Sequence, residues 1–130
     1  MATYKRFEEL PIWQKARIFA KDVYELSTQL PMARDFKLKD QILASSGSVM
    51  DNIAEGFERN GNKEFINFLT IAKGSCGETR SQLYRSFDRK YISEEILKSQ
   101  TTQSEIISSE IQNMIGYLQK SGYRGQKFNS

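Results

Sequence analysis

Histidine is missing from all 130 residues, cysteine occurs once and proline twice. Without histidine there is no Ser–His–Asp or Cys–His catalysis and no imidazole-containing metal site. The paired Glu-x-x-His signature of di-iron bundles is absent for the same reason. One cysteine excludes an intramolecular disulfide and fits a reducing, cytoplasmic setting. The two prolines leave long segments free to be helical. No apolar run approaches the roughly 20 residues a membrane helix needs. The opening MATYKRFEEL lacks the apolar centre of a signal peptide, so no membrane partner is expected. No segment alternates as a strand does, and no internal repeat is visible. Neither sign of charge dominates: 19 Lys and Arg against 16 Asp and Glu leave +3 and a pI near 9.0. That permits a polyanionic partner without requiring one.

What is present is helical periodicity. Met1 to Glu9 reads as a loose lead-in. Pro11 suits the first position of a helix, and Ile12, Ala16, Phe19, Val23, Leu26 and Leu30 then repeat in alternating fours and threes. Pro31 ends this helix. Asp35 is a candidate N-cap for a second helix, whose core row is Leu38, Ile42, Ser45, Val49, Ile53 and Gly56. A second row, Leu43, Met50 and Phe57, recurs at seven-residue spacing and widens the apolar face. Gly61 suits the closing position, and Asn62 the N-cap of a third helix. Phe65, Phe68, Leu69, Ala72, Cys76, Thr79, Leu83 and Phe87 share one face of that helix. Ser93 caps a fourth, with Ile96, Ile107, Ile111, Met114 and Leu118 buried, Ser99 to Ser104 a weak polar middle, and Gly122 its stop. The last ten residues read as a basic tail. Residues 1–130 thus form a single all-α domain, an up-down-up-down four-helix bundle with helices at about 11–30, 36–60, 63–90 and 94–120.

Two stretches organise this bundle: ASSGSVMDNIAEGFER, from Ala44, and AKGSCGE, from Ala72. Both are rich in small residues. A glycine inside a helix costs roughly 1 kcal/mol relative to alanine. Gly47, Gly56, Gly74 and Gly77 therefore predict close helix packing, where small side chains let backbones approach. Ser48, Asn52, Glu55 and Arg59 fall at i, i+4, i+7 and i+11 on one stripe. Glu55 on such a stripe could be a general base or a metal ligand. The reading adopted is structural: Ser48, Asn52, Glu55 and Arg59 meet Glu78 or Arg80 in an interhelical polar network, since partly buried charges are normally paired.

Other chemistry is thin. Cys76, on an apolar face among small residues, reads as a buried small hydrophobe and not a reactive thiol. Gly74-Ser75-Cys76-Gly77 lacks the Gly-Lys-Ser/Thr ending and the preceding strand of a phosphate loop. No cofactor, metal or catalytic residue is expected. Basic residues remain. Lys73, Arg80 and Tyr84 share a shoulder of the third helix, Arg85 and Arg89 follow, and Arg59 and Lys63 bracket the turn before it. Aromatic side chains interleaved with basic ones can stack on bases and neutralise phosphates. The competing reading is an ordinary solvated face, because acids are mixed in.

NIAEGFER, IAKGSCGE and, at Ile12 to Ala16, IWQKA together resemble the four-helix-bundle family encoded in intervening sequences of bacterial 23S ribosomal RNA genes. This family is similar to the accessory variability protein of diversity-generating retroelements. The resemblance spans roughly Phe7 to Leu118. It implies a four-helix bundle that assembles into a ring-like homopentamer, and retroelement relatives that bind nucleic acid and a reverse transcriptase. The positions that match, Asn52, Glu55, Gly56 and Arg59 with Gly74, Ser75 and Glu78, read as structural. The expected function is a non-enzymatic, oligomeric, cytoplasmic accessory protein that binds RNA or DNA through a basic surface. The alternative is an interaction scaffold whose partner is another protein.

Overall fold

A computed structural model describes residues 4–121. Pro11 opens α1, Pro11–Ser27, at the position where a missing N–H costs nothing. Its row Ile12, Ala16, Phe19 and Val23 is buried. The helix stops three residues earlier than its periodicity predicts. Ser27 and Thr28 turn their hydroxyls back onto the carbonyls of Tyr24 and Glu25, and helical backbone is disfavoured at the residue before Pro31. Leu30, expected in the core, is therefore 65% exposed.

The lead-in is not loose where it is described. Phe7–Glu9 forms a 3-10 turn. Phe7 packs edge-on against Trp13 at 5.2 Å, Leu10 is fully buried, and Gln14 donates to the Glu8 carbonyl. Two aromatic rings and a leucine outweigh the polar composition around them. A second 3-10 turn, Met32–Arg34, leads into α2, Phe36–Glu58. Asp35 caps it by accepting from the Leu38 N–H. The row Leu38, Ile42, Ser45, Val49, Ile53 and Gly56 is buried throughout, and so is Phe57, while Leu43 and Met50 are half-buried.

Gly61, at φ 92, is the N-cap residue of α3, Asn62–Asp88. Asn62 is thus not the cap but the first helical residue. Its side chain turns inward and donates to the Leu118 carbonyl and the Ser121 hydroxyl at the end of α4, which lies at the same end of the bundle. α3 ends in a Schellman motif: Lys90 N–H bonds the Phe87 carbonyl and Tyr91 N–H the Ser86 carbonyl, with Lys90 at φ 65. Ser93 caps α4, Glu94–Lys120. Leu97 and Ile115 are buried where Ile96 and Met114 were expected, and those two are half-buried. Gly122 and the rest of the tail lie outside the described residues. Each helix packs on its neighbour in sequence and α4 closes back on α1, the four-helix arrangement the periodicity predicts.

Glycine is where the sequence reading needs most correction. A Cβ at Gly56 would meet Phe68 Cβ at 2.7 Å and Phe65 Cδ1 at 3.0 Å, so α2 and α3 do approach closely there. A Cβ at Gly47, Gly74 or Gly77 would meet nothing within 4 Å. Those three glycines are not close-packing positions within this chain: they sit on helix flanks that face away from a neighbouring backbone.

Candidate nucleic-acid interface

The seam between α2 and α3 carries the polar stripe. At its centre Ser45 Oγ lies 2.8 Å from Thr79 Oγ1 and donates to Gln82 Oε1 at 2.6 Å, all three buried. One turn on, Ser48 and Ser75 hydroxyls meet at 2.9 Å, and Asn52 donates to both the Ser48 carbonyl and hydroxyl at 2.8 Å. Further out, Arg59 pairs with Glu55 at 3.0 Å and Glu64 at 3.7 Å and lies 5.0 Å over the Phe68 ring. The expected single network is therefore split. Glu55 finds its partner on its own helix, and Glu78 only accepts from Gln82 at 3.4 Å. Helical drift along the stripe brings Ser48 and Asn52 to the seam and carries Glu55 and Arg59 to the exposed surface. The sequence pattern places Ser45 and Thr79 on apolar rows and Gln82 on none, because a polar residue's spacing gives no sign of what it will meet.

Opposite this seam, α1 and α4 are bridged by the Lys15–Glu110 ion pair and by Gln103 donating to Asp22 at 2.9 Å. Between them the surface is hollow. One cavity of about 200 Å³ lies beside Ile18 and Ile106, which are 56% and 45% exposed. Another of about 680 Å³ is rimmed by Asp22, Glu25 and Glu95 over Leu26 and Ile96.

The seven basic and aromatic candidates do not form one patch. Arg59 and Lys63 stand at the start of α3 and Arg89 just past its end, about 40 Å apart along a helix of this length. Between them Lys73, Arg80 and Tyr84 share a shoulder. Lys63, Lys73, Arg80 and Tyr84 make no hydrogen bond or ion pair among the described residues, and Tyr84 is 50% exposed. Arg59 is held by its two glutamates, Arg85 donates to Gln41 at 3.2 Å, and Arg89 to Asp35 at 2.7 Å. Asp35 is a three-way junction. One oxygen caps α2 and the other accepts from Arg89 and from the Tyr91 hydroxyl at 2.8 Å. The Tyr91 hydrogen bond, with the Leu38 N–H and Arg89 adding, holds the Asp35 carboxyl below its usual range against the opposing effect of burial. Tyr91 is raised in turn, chiefly by the same bond.

Cys76 is buried, and its thiol and Ser104 exchange hydrogen bonds with one another's backbone carbonyls at 3.2 and 3.3 Å. Burial pushes the thiol up, against weaker contributions from Ser104 and Arg80, so it stays protonated at neutral pH. Among the described residues no three Cys, Asp or Glu side chains gather as a metal site would require, and no helix is long and apolar enough to cross a membrane.

No curated protein matches the chain. A solved structure from Bacteroides thetaiotaomicron VPI-5482, described as a protein of unknown function from the S23 ribosomal protein family, is similar with a TM-score of 0.74. The two are 27% identical over 80% of this chain and 97% of that one. Residues 8–117, from within the 3-10 turn at Phe7–Glu9 almost to the end of α4, match the family described as 23S rRNA-intervening sequence protein. With four helices in the expected order and the match running through all of them, the chain belongs to the 23S rRNA-intervening sequence protein family.

Proposed function

We propose that this protein is a non-enzymatic, cytoplasmic accessory protein that self-assembles and binds RNA or DNA through the outer surface of α3. The observation that carries the reading is the Lys73, Arg80 and Tyr84 shoulder. Two cations there have no acidic partner among the described residues, next to an exposed aromatic ring. Unpaired cations neutralise phosphates, and a ring can stack on bases in single-stranded segments. The family's name ties its members to a ribosomal RNA gene. The lack of histidine and the buried, protonated Cys76 support a role without catalysis.

Self-assembly is supported by the outer row of α2. Leu43 and Met50 are half-exposed there, and open space lies over Gly47 on the same helix. The resemblance implies five copies. A ring repeats the basic shoulder once per subunit, so several weak contacts act together. Anisotropy with labelled RNA is expected to give micromolar-class binding that weakens steeply with salt. Arg80→Glu with Arg85→Glu should weaken it while light scattering still reports an assembly several times the 15.0 kDa chain. No binding at low salt would move the reading to a protein scaffold. One observation favours that second reading: the hollow, acid-rimmed seam between α1 and α4, which suits a partner segment with basic and apolar side chains.

A further inference from the structure

We infer that the end of the bundle where α2 begins and α3 stops is a site for an unpaired nucleotide, with Phe36 as the stacking surface and Arg34, Lys37 and Lys90 around it. The inference rests on the nucleic-acid reading above and deepens it, by naming a second contact and the kind of strand it takes.

Two local preferences of helix construction are broken at this one end, beside an exposed aromatic ring. Phe36, the first residue of α2, is 71% exposed, more than any other large hydrophobic side chain described. An isolated exposed apolar residue is ordinary. This one, however, has Lys37 directly after it and Arg34 two residues before it, both exposed. Lys37 itself stands in the first turn of α2, where the helix dipole favours acids and no acidic residue is present. Lys90 occupies the left-handed position of the α3 Schellman motif, φ 65, which glycine fills at least cost. Departures from local preference concentrate where a sequence serves function.

The Asp35 junction brings the two segments together. Its bonds to Arg89 and Tyr91 fix residues 89–91 against residues 34–36, although they are more than 50 positions apart in the chain. The same bonds consume the carboxylate at the centre of the cluster: both oxygens are taken, one by the α2 cap and one by Arg89 and Tyr91. The side chains of Arg34, Lys37 and Lys90 have no hydrogen-bonded or ion-paired partner among the described residues. What remains is an exposed aromatic ring, with exposed cations beside it in the chain and on the segment that the Asp35 junction brings alongside. That is the arrangement by which single strands are held, a base on the ring and its flanking phosphates on the cations. A duplex, whose bases are already stacked on one another, offers nothing to the ring.

The test uses the full chain, a short fluorescein-labelled single-stranded RNA and a duplex of the same sequence, at low salt. Phe36→Ala should weaken single-strand binding about tenfold and leave duplex binding unchanged, and Phe36→Tyr should restore it. Arg34→Ala with Lys37→Ala should lower the salt slope by about two phosphates' worth. Exposure of all three side chains makes the variants fold-neutral, which thermal melts followed by circular dichroism would verify. If Phe36→Ala binds single strands like the parent while Arg80→Glu with Arg85→Glu weakens them, the site is wrong and the nucleic-acid reading stands. If the parent chain binds neither probe, both fall together. Phe36 also continues the seven-residue row of Leu43 and Met50. A fall in assembly mass for Phe36→Ala would therefore assign the ring to a contact between copies and overturn the site.

Discussion

The α2–α3 seam and the α1–α4 seam are built from the same kind of amphipathic helix, yet they differ in almost every respect. α2 and α3 run 23 and 27 residues and are joined by a tight turn at Gly61. They therefore face each other along most of their length. Gly56 lets the backbones close, and the hydroxyls of Ser45, Ser48, Ser75 and Thr79 reach across. α1 has 17 residues against 27 for α4, about 25 Å against about 40 Å. The hollows lie between the two helices and are lined by both, Ile18 with Ile106 in one and Leu26 with Ile96 in the other, under an acidic rim. Close approach at a glycine and hydroxyls that reach across mark the tight seam, and the open one has neither.

This contrast can be broken experimentally. The largest effects belong to the tight seam. Gly56→Ala should cost about 1–3 kcal/mol by overpacking against Phe65 and Phe68. Gly47→Ala and Gly74→Ala, with open space above them, should gain up to about 1 kcal/mol from helix propensity. Urea denaturation of the three variants separates the cases, and an equal loss at Gly56 and Gly74 would contradict the packing described here. Second, Ser45→Ala removes the donor to Gln82 and should cost about 1–3 kcal/mol, because buried polar groups on α3 are left without it. A neutral result would mean that water replaces the hydroxyl.

The open seam should be tolerant. Lys15→Met breaks the Lys15–Glu110 pair, which is partly solvated on both sides, and should change stability by no more than about 1 kcal/mol. A larger loss would show that the α1–α4 bridge matters as much as the buried hydroxyls opposite.

The smallest effect concerns pH at Asp35. Its folded carboxyl lies below the ordinary value, first through Tyr91. The ionised form thus stabilises the fold above the unfolded value of about 3.9, and that contribution is lost as pH falls through the lower folded value. Tyr91 is shifted upward, so its protonated hydroxyl stabilises the fold below about 10. That contribution is lost as pH rises through the higher folded value. Tyr91→Phe should flatten stability against pH in the acid range. An unchanged acid profile would show that Arg89 alone holds the carboxylate.

Much of the fold was legible because its determinants are local. Pro11, Asp35 and Ser93 act within one turn of where they stand, and the buried rows of α1 and α2 follow from 3.6-residue periodicity. The polar middle of α4 was not legible as core. Gln100, Thr101 and Ser104 are buried with hydrogen-bond partners, Gln103 for the first, the Leu97 carbonyl for the second and Cys76 for the third, and partners do not appear in a hydrophobic pattern. The candidate interface was legible as a set of basic residues and not as an arrangement. Nothing in the spelling of Arg59, Arg85 and Arg89 separates them from Lys73 and Arg80, yet the first three are engaged by the protein and the last two are not. Phe36 carries a local signal of its own, an aromatic residue off the core row with a cation directly after it and another two residues before it.

By itself, then, the sequence determined four helices, their order, their caps and most of their inward faces. Each depends on interactions among residues a few positions apart. Only the tertiary structure decided that Gly56 is crowded while Gly47, Gly74 and Gly77 are open. It also decided which cations remain free, and that Asp35 joins the start of α2 to the end of α3. Those outcomes depend on what a neighbouring helix places opposite a residue, and helix lengths and turns set that jointly for the whole bundle.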